Sequence, residues 1–172
     1  MAKHHKTYIF CYDDHRGFSE DIKKRFTDAA RYSVKSFQTG EDFIADFEAE
    51  SKNKSCKVAI LSVHDNAEQL EKVDKLTVEI KKIDLLTGLI LVGTADKMEE
   101  IRKTMKFNID AYIPRNSNSI LRIHNIVKKL ISEHNIRNFR KKRNLSIYLL
   151  LAFLAMSGLL ILVSYFRLPH YF

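Results

Sequence analysis

Two adjacent carboxylates, Asp13 and Asp14, stand directly after the apolar run Tyr8 to Tyr12, with His15 beside them; His64 and Asp65 follow a second such run, Val58 to Val63. Carboxylate oxygens and imidazole nitrogens gathered at one edge of a fold are ligands that suit a transition metal. Their spacing corresponds to no named metal motif, so such a site requires the two runs to end side by side. Cys11 and Cys56 each lie in or beside an apolar run and lack the paired spacing of zinc or redox sites, which marks them as buried core residues of a reducing compartment. The five glycines, Gly17, Gly40, Gly88, Gly93 and Gly158, form neither G-x-G-x-x-G nor a Walker A sequence, so no glycine-rich phosphate loop is indicated.

The elements that would position these residues follow from periodicity. Strand-length apolar runs recur at Tyr8 to Tyr12, Tyr32 to Phe37, Val58 to Val63, Leu89 to Val92 and Ile109 to Ile113, and segments of helical spacing separate them. Ile22, Phe26, Ala29 and Ala30 stripe the first helical segment, expected to open on a Ser19 cap with Glu20 and Asp21 in its first turn. Phe43, Ile44 and Phe47 stripe the second, after Thr39. The third, about Ala67 to Ile83, carries Leu70, Val73, Leu76, Ile80 and Ile83. A fourth opens with Asp96 and Glu99 as a capping box before Ile101 and Met105, and a fifth carries Ile120, Ile123, Val127, Leu130 and Ile131. This (βα)5 order, with short and mostly unalternating strands, predicts an α/β fold: a doubly wound, parallel five-stranded sheet of flavodoxin-like type. Ligands of such sheets collect at the C-terminal strand ends.

Those ends read Asp13-Asp14 after the first strand, Thr94-Ala95 after the fourth, and Asn108-Ile-Asp-Ala-Tyr-Ile-Pro-Arg115 along the fifth. In this the chain, from about Lys6 to Ser132, resembles the receiver domain of response regulators (CheY-like), the phosphorylated module of two-component signalling. The resemblance implies that Asp13 and Asp14 match the family's magnesium-binding acids, Thr94 its phosphate-contacting hydroxyl and Tyr112 its switch aromatic, while Arg115 stands where the family has lysine. The family's phospho-accepting aspartate belongs at the end of the third strand, and Ser62 is there instead. The proline-rich turn after it is replaced by His64-Asp-Asn-Ala-Glu, and the proline after the lysine position by Asn116. A neutral hydroxyl supplies neither the nucleophile nor the third acidic group around a hard cation, and arginine keeps the charge of lysine without its compact ammonium. The expectation is a degenerate pseudo-receiver, not an enzyme, with no catalytic residue and no cofactor; a magnesium ion on Asp13 and Asp14, or an atypical acceptor at Asp65, is the alternative.

The formal charge of +8 does not indicate nucleic acid. Six of the 29 basic residues (Arg137, Arg140, Lys141, Lys142, Arg143 and Arg167) lie beyond position 136, where there are no acids, leaving 23 basic against 21 acidic residues before it. From Asn144 to Phe166 run 23 uncharged residues, thirteen of them Leu, Ile, Val or Phe. As a helix they would extend about 34 Å, enough for a bilayer core of about 30 Å, and their insertion is favourable by roughly 4–8 kcal/mol. The basic block preceding them sets a single-pass topology with the larger domain in the cytoplasm, as in a bacterial inner membrane. No N-terminal signal peptide is visible, since Met1 to Thr7 is mostly polar. The chain thus divides into a receiver-like domain (1–136), a basic juxtamembrane linker (137–143), a transmembrane helix (144–166) and a short tail (167–172). The helix has no G-x-x-x-G pair; its small residues Ala152, Ala155 and Gly158 are three apart, a weak pairing signal.

A folded module at a membrane with no output domain after it is expected to act by binding another protein, itself membrane-associated. The candidate surface is the side formed by the fourth helix, fifth strand and fifth helix, which the resembling family presents to partners, with Lys103, Tyr112 and Arg122 as candidate residues. A working phosphotransfer protein and a structural subunit of a membrane complex are the competing expectations.

Overall fold

The computed structural model describes residues 6–13, 16–63, 67–96, 99, 101, 103 and 109–167. Five parallel strands, β1 (Thr7–Tyr12), β2 (Tyr32–Phe37), β3 (Lys57–Ser62), β4 (Gly88–Gly93) and β5 (Ala111–Pro114), form one sheet in the order β2-β1-β3-β4-β5. The helices are α1 (Arg16–Arg25), α2 (Gly40–Ala49), α3 (Ala67–Ile83) and α4 (Ser119–Arg167). Contacts divide the chain into two compact units, 1–131 and 132–172.

In unit 1 the central strands are buried on both sides because successive side chains point to opposite faces and each face is covered. Phe10, Ala59, Leu61, Leu89 and Leu91 pack with Phe43 and Phe47 of α2 and Val73 and Ile80 of α3. Their neighbours Ile9, Val58, Ile60, Ile90 and Val92 pack on the other side with Ile22 of α1 and Ile123 and Val127 of α4. Phe10 anchors the first layer, its ring 5.0 Å from Phe47 and 5.8 Å from Phe43 in tilted and edge-on arrangements. The doubly wound α/β sheet expected from the sequence is the one observed.

Local chemistry sets the element ends. Thr39 caps α2, its hydroxyl oxygen accepting from the Asp42 amide at 3.2 Å. Ser19 does not cap α1: the helix starts at Arg16, and Ser19 lies inside it, buried. Strand β5 begins two residues later than the apolar run suggested, because the Asp110 carboxylate accepts the Leu89 amide at 2.8 Å and so occupies that rung. Of the fourth helical segment, Glu99, Ile101 and Lys103 are helical, whereas Met105 lies outside the described residues. At Gly88, an added Cβ would come within 2.6 Å of a Leu130 methyl, so the absent side chain lets α4 settle onto β4.

A buried lysine begins β3. The Lys57 ammonium, its side chain 2% exposed, donates to the Asn53 carbonyl at 2.7 Å and to Asp84 at 3.0 Å. Its charge is compensated within the protein, which is what allows it inside.

Unit 2 holds the rest of α4. The segment includes an 18-residue window of mean hydropathy 2.5 with none of it buried, long and apolar enough to cross a membrane. Phe153, Leu154, Leu159 and Leu160 are all exposed along it.

Candidate functional site

The C-terminal strand edge collects the residues that the sequence singled out. Register places them: β1 and β3 pair up to Tyr12↔Leu61, β3 and β4 up to Ser62↔Val92, and β4 and β5 up to Gly93↔Pro114. Asp13 and Ser62 are therefore at the same height on neighbouring strands, with Thr94 and Arg115 one step beyond the last paired residues of β4 and β5. The edge is held by backbone bonds, from Val63 N–H to the Val92 carbonyl and from Arg115 N–H to the Gly93 carbonyl, both 2.7 Å. It lies where the chain reverses its direction of travel across the sheet, between β1 and β3, the usual ligand position in such folds. Asp14, His15, His64 and Asp65 lie outside the described residues.

Asp13 is buried, its side chain 1% exposed, and its carboxylate accepts from the Arg115 guanidinium at 3.3 Å. Strands β1 and β5 are separated by β3 and β4, and the long Arg115 side chain spans that gap. The guanidinium is also 4.9 Å from the ring centre of Phe18, an aromatic face that holds it over the edge. Ser62 is 1% exposed, and its hydroxyl has no hydrogen-bond partner among the described residues. Thr94 is half-buried.

Asp14 and Asp65, the other carboxylates that the sequence places at this edge, lie outside the described residues. A hard cation needs several oxygen ligands, carboxylates foremost. At this edge the Asp13 carboxylate is already paired with the Arg115 guanidinium, and Ser62 is neutral. Among the described residues, no group of three or more His, Cys, Asp or Glu side chains could hold a metal. The sequence groups Asp13, Asp14, Ser62, Thr94 and Arg115 in one degenerate acidic pocket, but it does not reveal that Asp13 and Arg115 pair or that Phe18 supports the guanidinium. The spacing of an arginine 102 residues from its aspartate carries no local signal.

A second feature lies beside the first. Glu99, Tyr112, Ile113, Pro114, Arg122, Asn125 and Ile126 line a cleft of about 510 Å³. Tyr112 is half-buried against the core, while Arg122 and Glu99 are exposed. Lys103 is exposed but does not line this cleft. The cluster Arg137, Arg140, Lys141, Lys142 and Arg143 is exposed and belongs to unit 2.

Solved structures share this fold. The chain is similar to a response regulator receiver domain protein from Clostridium thermocellum, with 17% identity and a TM-score of 0.55 over 76% of this chain and 98% of that one. It is likewise similar to a CheY-like response regulator receiver domain protein from Methanospirillum hungatei JF-1, with 19% identity and a TM-score of 0.54 over 77% and 98%. No protein-family model and no curated protein matches the sequence. Unit 1 therefore has a receiver-like fold.

Proposed function

We propose that the chain is a membrane-anchored pseudo-receiver, a signalling module that binds another protein and performs no phosphotransfer. The observation that carries this reading is the Asp13–Arg115 ion pair beside a neutral Ser62. A phosphoryl group on a carboxylate needs a nucleophile and a cation to offset its charge; here the acceptor position is a hydroxyl and the carboxylate is engaged by arginine. The test is to incubate the chain in mild detergent with acetyl phosphate and magnesium and search by mass spectrometry for a hydroxylamine-sensitive acyl phosphate. None is expected, and stoichiometric acyl phosphate on Asp14 or Asp65 refutes the reading.

The exposed apolar stretch of α4 supports an anchor, and the five basic residues on its N-terminal side support a cytoplasmic receiver-like unit. Carbonate washing of membranes should leave the protein in the pellet. Anchoring raises the local concentration of the module near other membrane proteins. The cleft lined by Glu99, Tyr112 and Arg122 offers one cationic and one anionic group beside Ile113, Pro114 and Ile126, a surface suited to a partner's polar side chains. Arg122→Glu should lower the yield of a co-purifying partner from detergent extracts, and Ser62→Ala should not. The converse pattern would place the working chemistry back at the strand edge.

A further inference from the structure

Unit 2 carries five cations at Arg137, Arg140, Lys141, Lys142 and Arg143, every one exposed, and none with an ion-pair partner among the described residues. No Asp or Glu follows Glu133 in the sequence. All five lie on the helix α4, where each residue turns the chain by about 100° and advances it by about 1.5 Å. Taking Arg137 as zero, Lys141 falls at about 40°, Lys142 at about 140°, Arg143 at about 240° and Arg140 at about 300°. No arc wider than about 100° lacks a positive charge. The cations thus ring the helix instead of striping one side, and the ring is about 9 Å tall.

A helix lying along a membrane surface presents its charges on one face and apolar residues on the other. A ring is what a helix needs where it passes upright through the headgroup layer and meets phosphates on every side. That layer is about 5–8 Å thick per leaflet, taken from the difference between the whole bilayer and its hydrocarbon core, and the ring matches it in height. The uncharged stretch starts immediately after Arg143, so the ring sits where headgroups would be. Phe139, 71% exposed, lies within it, and Tyr148, 70% exposed, lies just beyond; aromatic rings of this kind settle at the interface.

The geometry points to this ring as a binding site for anionic phospholipid headgroups, which rests on the membrane-anchor reading and adds a lipid preference to it. The shared chemistry is phosphate recognition by guanidinium and ammonium groups, with arginine forks able to engage two oxygens at once. The lipid, not free phosphate, is the source, because the ring abuts the apolar segment that would fix it at headgroup depth.

The experiment places the full chain in vesicles of phosphatidylcholine and phosphatidylglycerol at a ratio of 3:1, with a trace of either lipid spin-labelled, and reads the motionally restricted fraction by electron paramagnetic resonance. Labelled phosphatidylglycerol should exceed phosphatidylcholine in the restricted shell by about threefold, and the excess should shrink in high salt. It should vanish when all five residues are changed to Gln, while the restricted fraction of phosphatidylcholine stays. Equal fractions of the two lipids around the wild-type chain overturn the proposal and leave the anchor standing. No restricted lipid of either kind overturns the anchor itself. Inorganic phosphate that removes the selectivity more effectively than chloride at equal ionic strength would make the ring a free-phosphate site and overturn the lipid assignment.

Discussion

Replacing Ser62 with alanine should stabilise the protein. The Ser62 hydroxyl is fully buried and has no hydrogen-bond partner among the described residues, so folding strips it of water without compensation. That loss costs about 1–3 kcal/mol in measured substitutions. Removing the oxygen leaves a small vacancy, which at about 24 cal/mol per Å³ costs a few tenths of a kcal/mol. The balance favours Ser62→Ala by about 1 kcal/mol, or a rise in Tm of about 3–5 °C for a unit of this size. Near-UV circular dichroism of the full chain in mild detergent would follow the melting of unit 1. Ser55 provides the contrast: it is also buried, but its hydroxyl donates to the Asn53 side chain at 2.9 Å. Ser55→Ala should therefore lower Tm, by about 1 kcal/mol of stability. The reasoning is refuted if both substitutions destabilise to a similar degree, since that requires the Ser62 hydroxyl to be bonded in solution.

Three other substitutions and titrations test the remaining contacts. Arg115→Met removes the guanidinium from a carboxylate that is 1% exposed and should cost about 1–3 kcal/mol, less than for a fully enclosed pair because Arg115 itself is 28% exposed; a double-mutant cycle with Asp13→Asn should give a coupling energy above about 1 kcal/mol. Burial pushes the Cys11 thiol up to about 12 and the Cys56 thiol up to about 11, so neither should react with a thiol reagent at pH 8 until denaturant is added. Because both folded values are raised, the stability they confer is complete below the ordinary thiol value and should fall as pH rises toward 11–12. Burial first, then the charges of Lys128 and Arg25, hold the His124 imidazole below its ordinary value beside the Phe26 ring. Its contribution is therefore complete above pH 6.5 and is lost as pH falls through the lowered folded value, and urea titrations from pH 7.5 to 5 should show a loss of stability that is smaller in His124→Phe.

The sheet was legible because Val58, Ile60, Ile90 and Val92 are buried in the unalternating runs that doubly covered strands require. Thr39 was legible as a cap for the same local reason that it works as one. Boundaries failed where a distant partner decided them. Ser19 has the composition of a cap, yet α1 begins three residues earlier and Ser19 lies buried within it. Asp110 reads as part of a strand but spends its carboxylate on the Leu89 amide. Lys57, which falls just outside the apolar run beginning at Val58, is buried because Asn53 and Asp84 accept from its ammonium. At the candidate site, the residue types were readable from the order Asp13, Ser62, Thr94, Arg115. The pairing that neutralises the edge was not, since it depends on how far an arginine on one outer strand reaches across two others.

The empty position at Gly88 makes the volumes at 88 and 130 interdependent. A methyl group on residue 88 would meet the Leu130 side chain at 2.6 Å, well inside contact distance, so Gly88→Ala alone must shift the Leu130 side chain from its place. Leu130→Ala alone would instead open a vacancy under the helix. Together the two changes add one carbon on the strand and remove three on the helix, and each should relieve part of the other's damage. Among homologous chains, an alanine at the first position should accordingly travel with a smaller residue at the second, a covariation imposed by a single interatomic distance.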